Sequence, residues 1–227
     1  MTLLDLIGDS RIGKADDPLT ALTPLTPLGK AVAAKRQTAK QQSSKAKQKY
    51  KNMDFKQVIE KRRSCRRFLE EVPSREVLQQ IVDATLTAPS SRNMRTTRLV
   101  VVTDRAKIKA LASLRDYGSA FMESATAAIV VAADAEGCDL WRENCSISAT
   151  ILQLAAVDAG LSSCWVHVDG RPRLREKPDG EMAVDYLREV LDLPAEWQVE
   201  CIIALGYTDY TPKPLPEFDK SSVVEWR

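Results

Sequence analysis

The chain has 227 residues, 44% of them apolar, and a formal charge of +2, which suits one domain of ordinary size with a buried core. No stretch approaches the apolar length of a membrane span, and the N-terminus, opening with Asp5 and Asp9, lacks the layout of a secretory signal. The five cysteines (Cys65, Cys138, Cys145, Cys164, Cys201) form no CxxC pair. A zinc knuckle and a thioredoxin-type motif are therefore not indicated, and thiols in apolar surroundings point to a reducing cytoplasm.

The near-neutral total conceals an asymmetry. Residues 1–52 carry ten Lys/Arg against four Asp, a net +6, and the remainder carries a net −4. From Pro18 to Met53 there is no acidic residue, aromatics are absent before Tyr50, and Thr23-Pro24 and Thr26-Pro27 read as extended linker. Such an arm could meet nucleic acid or a membrane surface. Without interleaved aromatics, however, a basic run specifies charge rather than a ligand. Residues 1–52 are read as a leader, poorly ordered or partly helical, with no specific partner, and the folded domain is placed at 53–227.

In chain order, Asp54 caps a short helix with Phe55, Val58 and Ile59 on one face. A second helix follows Pro73-Ser74, with Val77, Leu78, Ile81, Val82 and Leu86 at helical spacing. Strands are expected at Leu99–Thr103, Ala127–Ala133, Cys164–Val168 and Val199–Leu205. The first two and the last are near-continuous apolar runs, as strands covered on both faces require. A long helix from about Leu140 to Ala159 stops at Gly160, and another spans roughly Met182–Leu191. Strands and helices do not alternate strictly, so a sheet with helices packed around it is expected, an α+β fold.

Four segments stand out chemically. Arg62-Arg63-Ser64-Cys65-Arg66-Arg67-Phe68 follows the first helix. If it is extended, Arg62, Ser64 and Arg66 share a face, and two guanidinium forks with a hydroxyl suit a phosphate. Pro89-Ser90-Ser91-Arg92-Asn93 places small polar residues on a turn, where backbone can approach a flat polar ligand. Gly160-Leu161-Ser162-Ser163-Cys164-Trp165 leads from a helix stop into a buried strand, and Ile203-Ala204-Leu205-Gly206-Tyr207 ends another, with Lys213 in the tail beyond.

Taken in order, the four segments resemble the FMN-dependent nitroreductase family, over residues from about 53 to the C-terminus. The resemblance implies a three-layer α-β-α fold with a mixed, mostly antiparallel sheet. It also implies a homodimer with FMN at the subunit interface. By position, Arg62, Arg63, Ser64 and Arg66 would hold the FMN phosphate and ribityl chain. Pro89, Ser90, Ser91 and Asn93 would lie along the flavin ring, partly from the partner subunit. Cys164, Trp165 and Val166 would border the ring, and Lys213 would return to the phosphate. NAD(P)H would deliver hydride to the flavin, for a small electron acceptor such as a nitroaromatic or quinone. The alternative reading is a flavin-binding or sensor protein that does not turn over.

The chain also departs from the family. Where many members continue the second segment with Gln, Pro and Trp, this one runs Met94-Arg95-Thr96-Thr97, and Arg95 or Arg98 would favour an anionic substrate. Ser163 stands where glycine is common. The single histidine, His167, is read as satisfied by nearby polar groups, so no catalytic side chain and no metal ligand is assigned. Without a G-x-G-x-x-G or a P-loop, neither a Rossmann domain nor a nucleotide triphosphate site is supported.

Overall fold

A computed structural model describes residues 53–214 and 216–227; the reading of 1–52 as a basic leader lies outside them. Helix α1, Phe55–Lys61, begins where the Gln57 N–H donates to Asp54 Oδ1 at 2.8 Å. Only Val58 of its expected core face is buried. Phe55 is 71% and Ile59 50% exposed, so among the described residues most of the apolar stripe is left open. Helix α2, Arg75–Thr85, is capped by Ser74, whose Oγ accepts from Val77 N–H at 3.4 Å. It buries Leu78 and Ile81 and leaves Leu86, just past its end, exposed.

Four strands follow: β1 Thr97–Val102, β2 Ala127–Asp134, β3 Ser162–His167 and β4 Trp197–Gly206, in the order β1-β2-β4-β3. Every ladder is antiparallel. The one parallel pairing among the described residues is a single bridge, Ser64 with Ser163. Strands β2 and β4 are covered on both faces, as their apolar runs require. The expectation for β1 needs correction, because as an edge strand it leaves Val101 42% exposed.

Period-two alternation sends Ala127, Ile129, Val131 and Ala133 of β2 to one face, with Ile203 and Leu205 of β4. There they pack on α2 and on α4, Trp141–Asp158. Ala128, Val130 and Ala132, with Ile202 and Ala204, pack on the other face against α5, Ala183–Leu191. That face also holds α3, Arg105–Ala110, and the 3-10 turns that follow it. The result is the three-layer α-β-α arrangement. Helix α3 had no strong sequence signal because six residues rich in Lys and Arg bury only Ile108; Asp104 starts it by accepting from Ala106 N–H at 2.8 Å.

Two glycines matter for the layout. Gly160, at φ 81°, ends α4, with Leu161 N–H returning to the Ala156 carbonyl at 2.7 Å, and turns the chain directly into β3. Gly206 has no room for a side chain: a Cβ there would lie 2.9 Å from both Phe68 and Thr126 Oγ1. That close approach seats the segment after α1 on the end of β4.

Candidate functional site

Arg62 N–H closes α1 on the Val58 carbonyl at 3.0 Å, and the chain then runs extended along the sheet. Cys65 N–H donates to the Ser163 carbonyl at 2.9 Å, and Leu69 N–H to the Tyr207 carbonyl at 2.8 Å. Cys65 and Phe68 point into the core, at 4% and 8% exposure. Around Cys65, alternation leaves Ser64 and Arg66 exposed, with Arg62 half-buried on the same open side, before Phe68 turns inward. The other arginines are engaged: Arg63 donates to the Lys213 carbonyl at 2.5 Å, and Arg67 lies 3.3 Å from Asp209 and 5.6 Å from the Tyr210 ring. Among the described residues, Arg62 and Arg66 make no ion pair.

The third segment meets the first here. Burial pushes the Cys164 thiol up, while the charge of Arg66 and a hydrogen bond with Ser64 pull it back. Both groups thus stand beside Cys164. Val166 is buried and Trp165 half-buried, its ring stacked on His167 with centroids 6.4 Å apart and 24° between planes. Lys213 reaches the same neighbourhood through its backbone carbonyl. Phe121, which sequence reasoning missed, sits with its ring centroid 5.8 Å from the Arg66 guanidinium.

The second segment is elsewhere. Pro89, Ser90, Ser91 and Asn93 lead into β1, and Ser91 N–H donates to Asn144 Oδ1 at 2.8 Å. Arg92, Asn93 and Arg95 are left-handed, with φ of 51°, 54° and 50°, a conformation costly for non-glycine residues unless surrounding contacts hold it. The buried Asn144 and a bond from Arg95 N–H to Ser90 Oγ at 3.0 Å supply that hold. Asn144 lies in the polar first turns of α4, on the buried face that Ser148 shares one turn later, so its sequence surroundings did not set it apart. Arg98 donates to the carbonyls of Arg95, Thr96 and Thr97 at 3.2–3.3 Å, with Asp134 at 3.4 Å. It is a structural tie here, and Arg95 is the exposed cation of the pair.

The sheet register separates the two places. Thr97 pairs with Ala133, whereas Ser163 pairs with Leu205 and Leu205 with Ala127. Six residues along β2 and three strand spacings across make about 20 Å by about 14 Å. The first, third and last segments converge at one corner of the sheet, and the second occupies the opposite corner.

A bulge in β4 bears on the Trp165–His167 end of the first corner. Val131 pairs with Cys201 but Ala132 with Val199, leaving Glu200 as the extra residue. Its carboxylate is buried, accepts from Ser146 Oγ at 3.3 Å and lies 3.8 Å from His167 Nδ1. His167 thus has the polar surroundings expected of it. Burial holds the Glu200 carboxyl above the usual range, with His167 and Ser146 opposing. The folded chain therefore binds this proton more tightly than the unfolded chain. Its contribution to stability is full below the ordinary glutamate range and is lost as pH rises through the raised value. Glu200→Gln should flatten this part of the pH dependence. Urea midpoints of both proteins at acid and neutral pH check it, and an unchanged difference between them would refute the assignment.

Comparison with known proteins agrees with the fold. The family model described as the nitroreductase family matches residues 59–140 and 112–207. A relative from Archaeoglobus fulgidus, named a putative NADH dehydrogenase/NAD(P)H nitroreductase, is 32% identical over 66% of this chain and 83% of its own length. A solved FMN-dependent nitroreductase from Clostridium difficile is 38% identical, covers 73% of this chain and 92% of its own, and superposes with a TM-score of 0.65. A solved putative NADH dehydrogenase/NAD(P)H nitroreductase from Bacteroides thetaiotaomicron, 26% identical, covers 74% and 95% with the same score. Fold and relatives together define an oxidoreductase of the α+β class. The chain belongs to the nitroreductase family.

Proposed function

We propose that the chain is an FMN-dependent oxidoreductase that passes hydride from NAD(P)H to a small electrophile such as a nitroaromatic or quinone. The observation that carries this reading is the corner where Ser64 and Arg66, with Arg62 on the same side of their segment, stand beside Cys164 and Trp165. Two guanidinium groups that make no ion pair among the described residues and an exposed serine hydroxyl form a donor set that fits a phosphate and its sugar alcohol. Arg62 and Arg66 would hold the FMN phosphate and Ser64 the ribityl chain, with Arg63 and Lys213 closing the turn behind them. Cys164, Trp165 and Val166 would border the ring. When bound, the flavin supplies the two-electron chemistry. The protein positions the ring, with the half-buried Trp165 beside it.

A homodimer completes the site. Pro89, Ser90, Ser91 and Asn93 lie at the far corner of the sheet, farther away than a flavin ring is wide, so they reach the ring only from a second copy. The apolar stripe of α1, Phe55 and Ile59, left open among the described residues, is the face for that copy. The flavin domain is assigned to residues 53–227, with 1–52 a basic leader without a specific nucleic-acid partner. We place the protein in the reducing cytoplasm, in keeping with five free, buried cysteines, burial pushing the Cys145 thiol up to about 12. No described helix is long and apolar enough to cross a membrane.

The test is purification with FMN, followed by NADH and NADPH consumption with a nitroarene or a quinone. The expected result is a yellow protein that oxidises a nicotinamide only when an acceptor is present. A yellow protein that consumes neither nicotinamide would support the flavin-binding, non-catalytic alternative instead. A colourless protein that takes up no added FMN would overturn both.

A further inference from the structure

Beyond the end of β3 lies a set of charges that the flavin corner does not use. The half-buried Arg115 donates from Nη1 to the His167 carbonyl at 2.9 Å, and from Nε and Nη2 to the Tyr117 carbonyl at 3.2 Å. Arg115 and Arg175 each lie 4.3 Å from the centroid of the Tyr117 ring. Arg171 follows the turn at Gly170 on the adjoining loop.

These loops are laced together. Asp116 N–H donates to the Arg173 carbonyl at 2.9 Å, Arg175 N–H to Asp116 Oδ2 at 3.1 Å, and Arg173 Nη2 to the Ser113 carbonyl at 2.9 Å. Ala183 N–H donates to the Arg171 carbonyl at 2.8 Å. The arginines therefore stand on a fixed backbone.

Their charges are poorly compensated. Neighbouring Arg173 and Arg142 are paired, with Glu181 at 2.8 Å and Asp169 at 2.6 Å. Among the described residues, Arg115, Arg171 and Arg175 make no ion pair. Burial makes the Arg115 guanidinium easier to deprotonate, and the charges of Arg171 and Arg175 add to this against Tyr117 and Asp116. A dianionic ligand would relieve that repulsion.

We propose that Arg115, Arg171, Arg175 and Tyr117 form a subsite for a phosphate monoester, the 2′-phosphate of NADPH, and so set a preference for NADPH over NADH. The inference rests on the oxidoreductase reading above. Arg115 is bonded to the backbone of His167, whose ring stacks on Trp165. A ligand engaging both places needs a flat group at one end and an anion at the other. Nitroarenes and quinones have no such tail. NADH carries only the pyrophosphate, one charge per phosphate, whereas NADPH adds a monoester of about −1.5 to −2. Guanidinium groups grip that group bidentately, and Tyr117 with its flanking arginines offers a stacking surface for a base.

The test compares wild type with the double variant Arg171→Ala/Arg175→Ala. The ratio of kcat/KM for NADPH to that for NADH is expected to fall about tenfold or more, as loss of charge-assisted contacts implies. An unchanged ratio overturns the proposal, and so does an equal loss for both nicotinamides, which would mark a pyrophosphate site instead. Calorimetry with adenosine 2′-monophosphate reads the subsite without turnover. Wild type should bind it about tenfold or more tightly than the variant, and equal binding or none overturns the proposal. Arginine-dependent binding of this nucleotide by a protein that oxidises neither nicotinamide would uphold the phosphate site and reject the oxidoreductase reading.

Discussion

Replacing Arg62 and Arg66 together with alanine is expected to strip FMN from a chain that still folds. Neither side chain takes part in an ion pair among the described residues, and both lie on the open side of the segment. The core contacts of that segment are made instead by Cys65 and Phe68. Each charge-assisted contact to a phosphate is worth about 1.5–3 kcal/mol. Losing two should raise the FMN dissociation constant about a hundred- to ten-thousand-fold. Titration against flavin fluorescence measures this directly. A folded double variant that keeps wild-type affinity would place the phosphate elsewhere.

The second large effect is expected at α1. Phe55 and Ile59 are one turn apart on a helix that buries only Val58, so the stripe is available to a second copy. Burying two such side chains contributes about 1.5–3 kcal/mol each, and aspartate at both positions would bury charge in their place. Phe55→Asp/Ile59→Asp should therefore give monomers, seen by sedimentation equilibrium. It should also lose flavin, because the Pro89–Asn93 corner would no longer be delivered. A double variant that remains dimeric with full flavin content would show that α1 lies outside the interface.

Much of the fold was legible because its signals are local. Long apolar runs marked β2 and β4, and Gly160 marked the end of α4 within a residue. Asp54 and Ser74 announced two helix starts. Helix α3 was invisible because a short, basic helix with one buried residue carries almost no periodic signal. Edge position also does not show in a strand's composition, so Val101 read as covered when it is half open to solvent.

The site divides along the same line. By itself the sequence singled out four segments as candidates for chemistry, since residue type, order and spacing are linear properties. It also determined that Arg62, Ser64 and Arg66 share a face, because alternation along an extended chain needs no tertiary information. Only the tertiary structure decided which segments meet. The parallel bridge of Ser64 with Ser163 put Cys65 beside β3, and the antiparallel register sent the Pro89–Asn93 loop to the opposite corner. It likewise tied down Arg98, turned Glu200 inward through a bulge, and gathered Arg115 and Arg175 around one tyrosine. Those outcomes depend on pairing between residues far apart in the chain, and no local pattern encodes them.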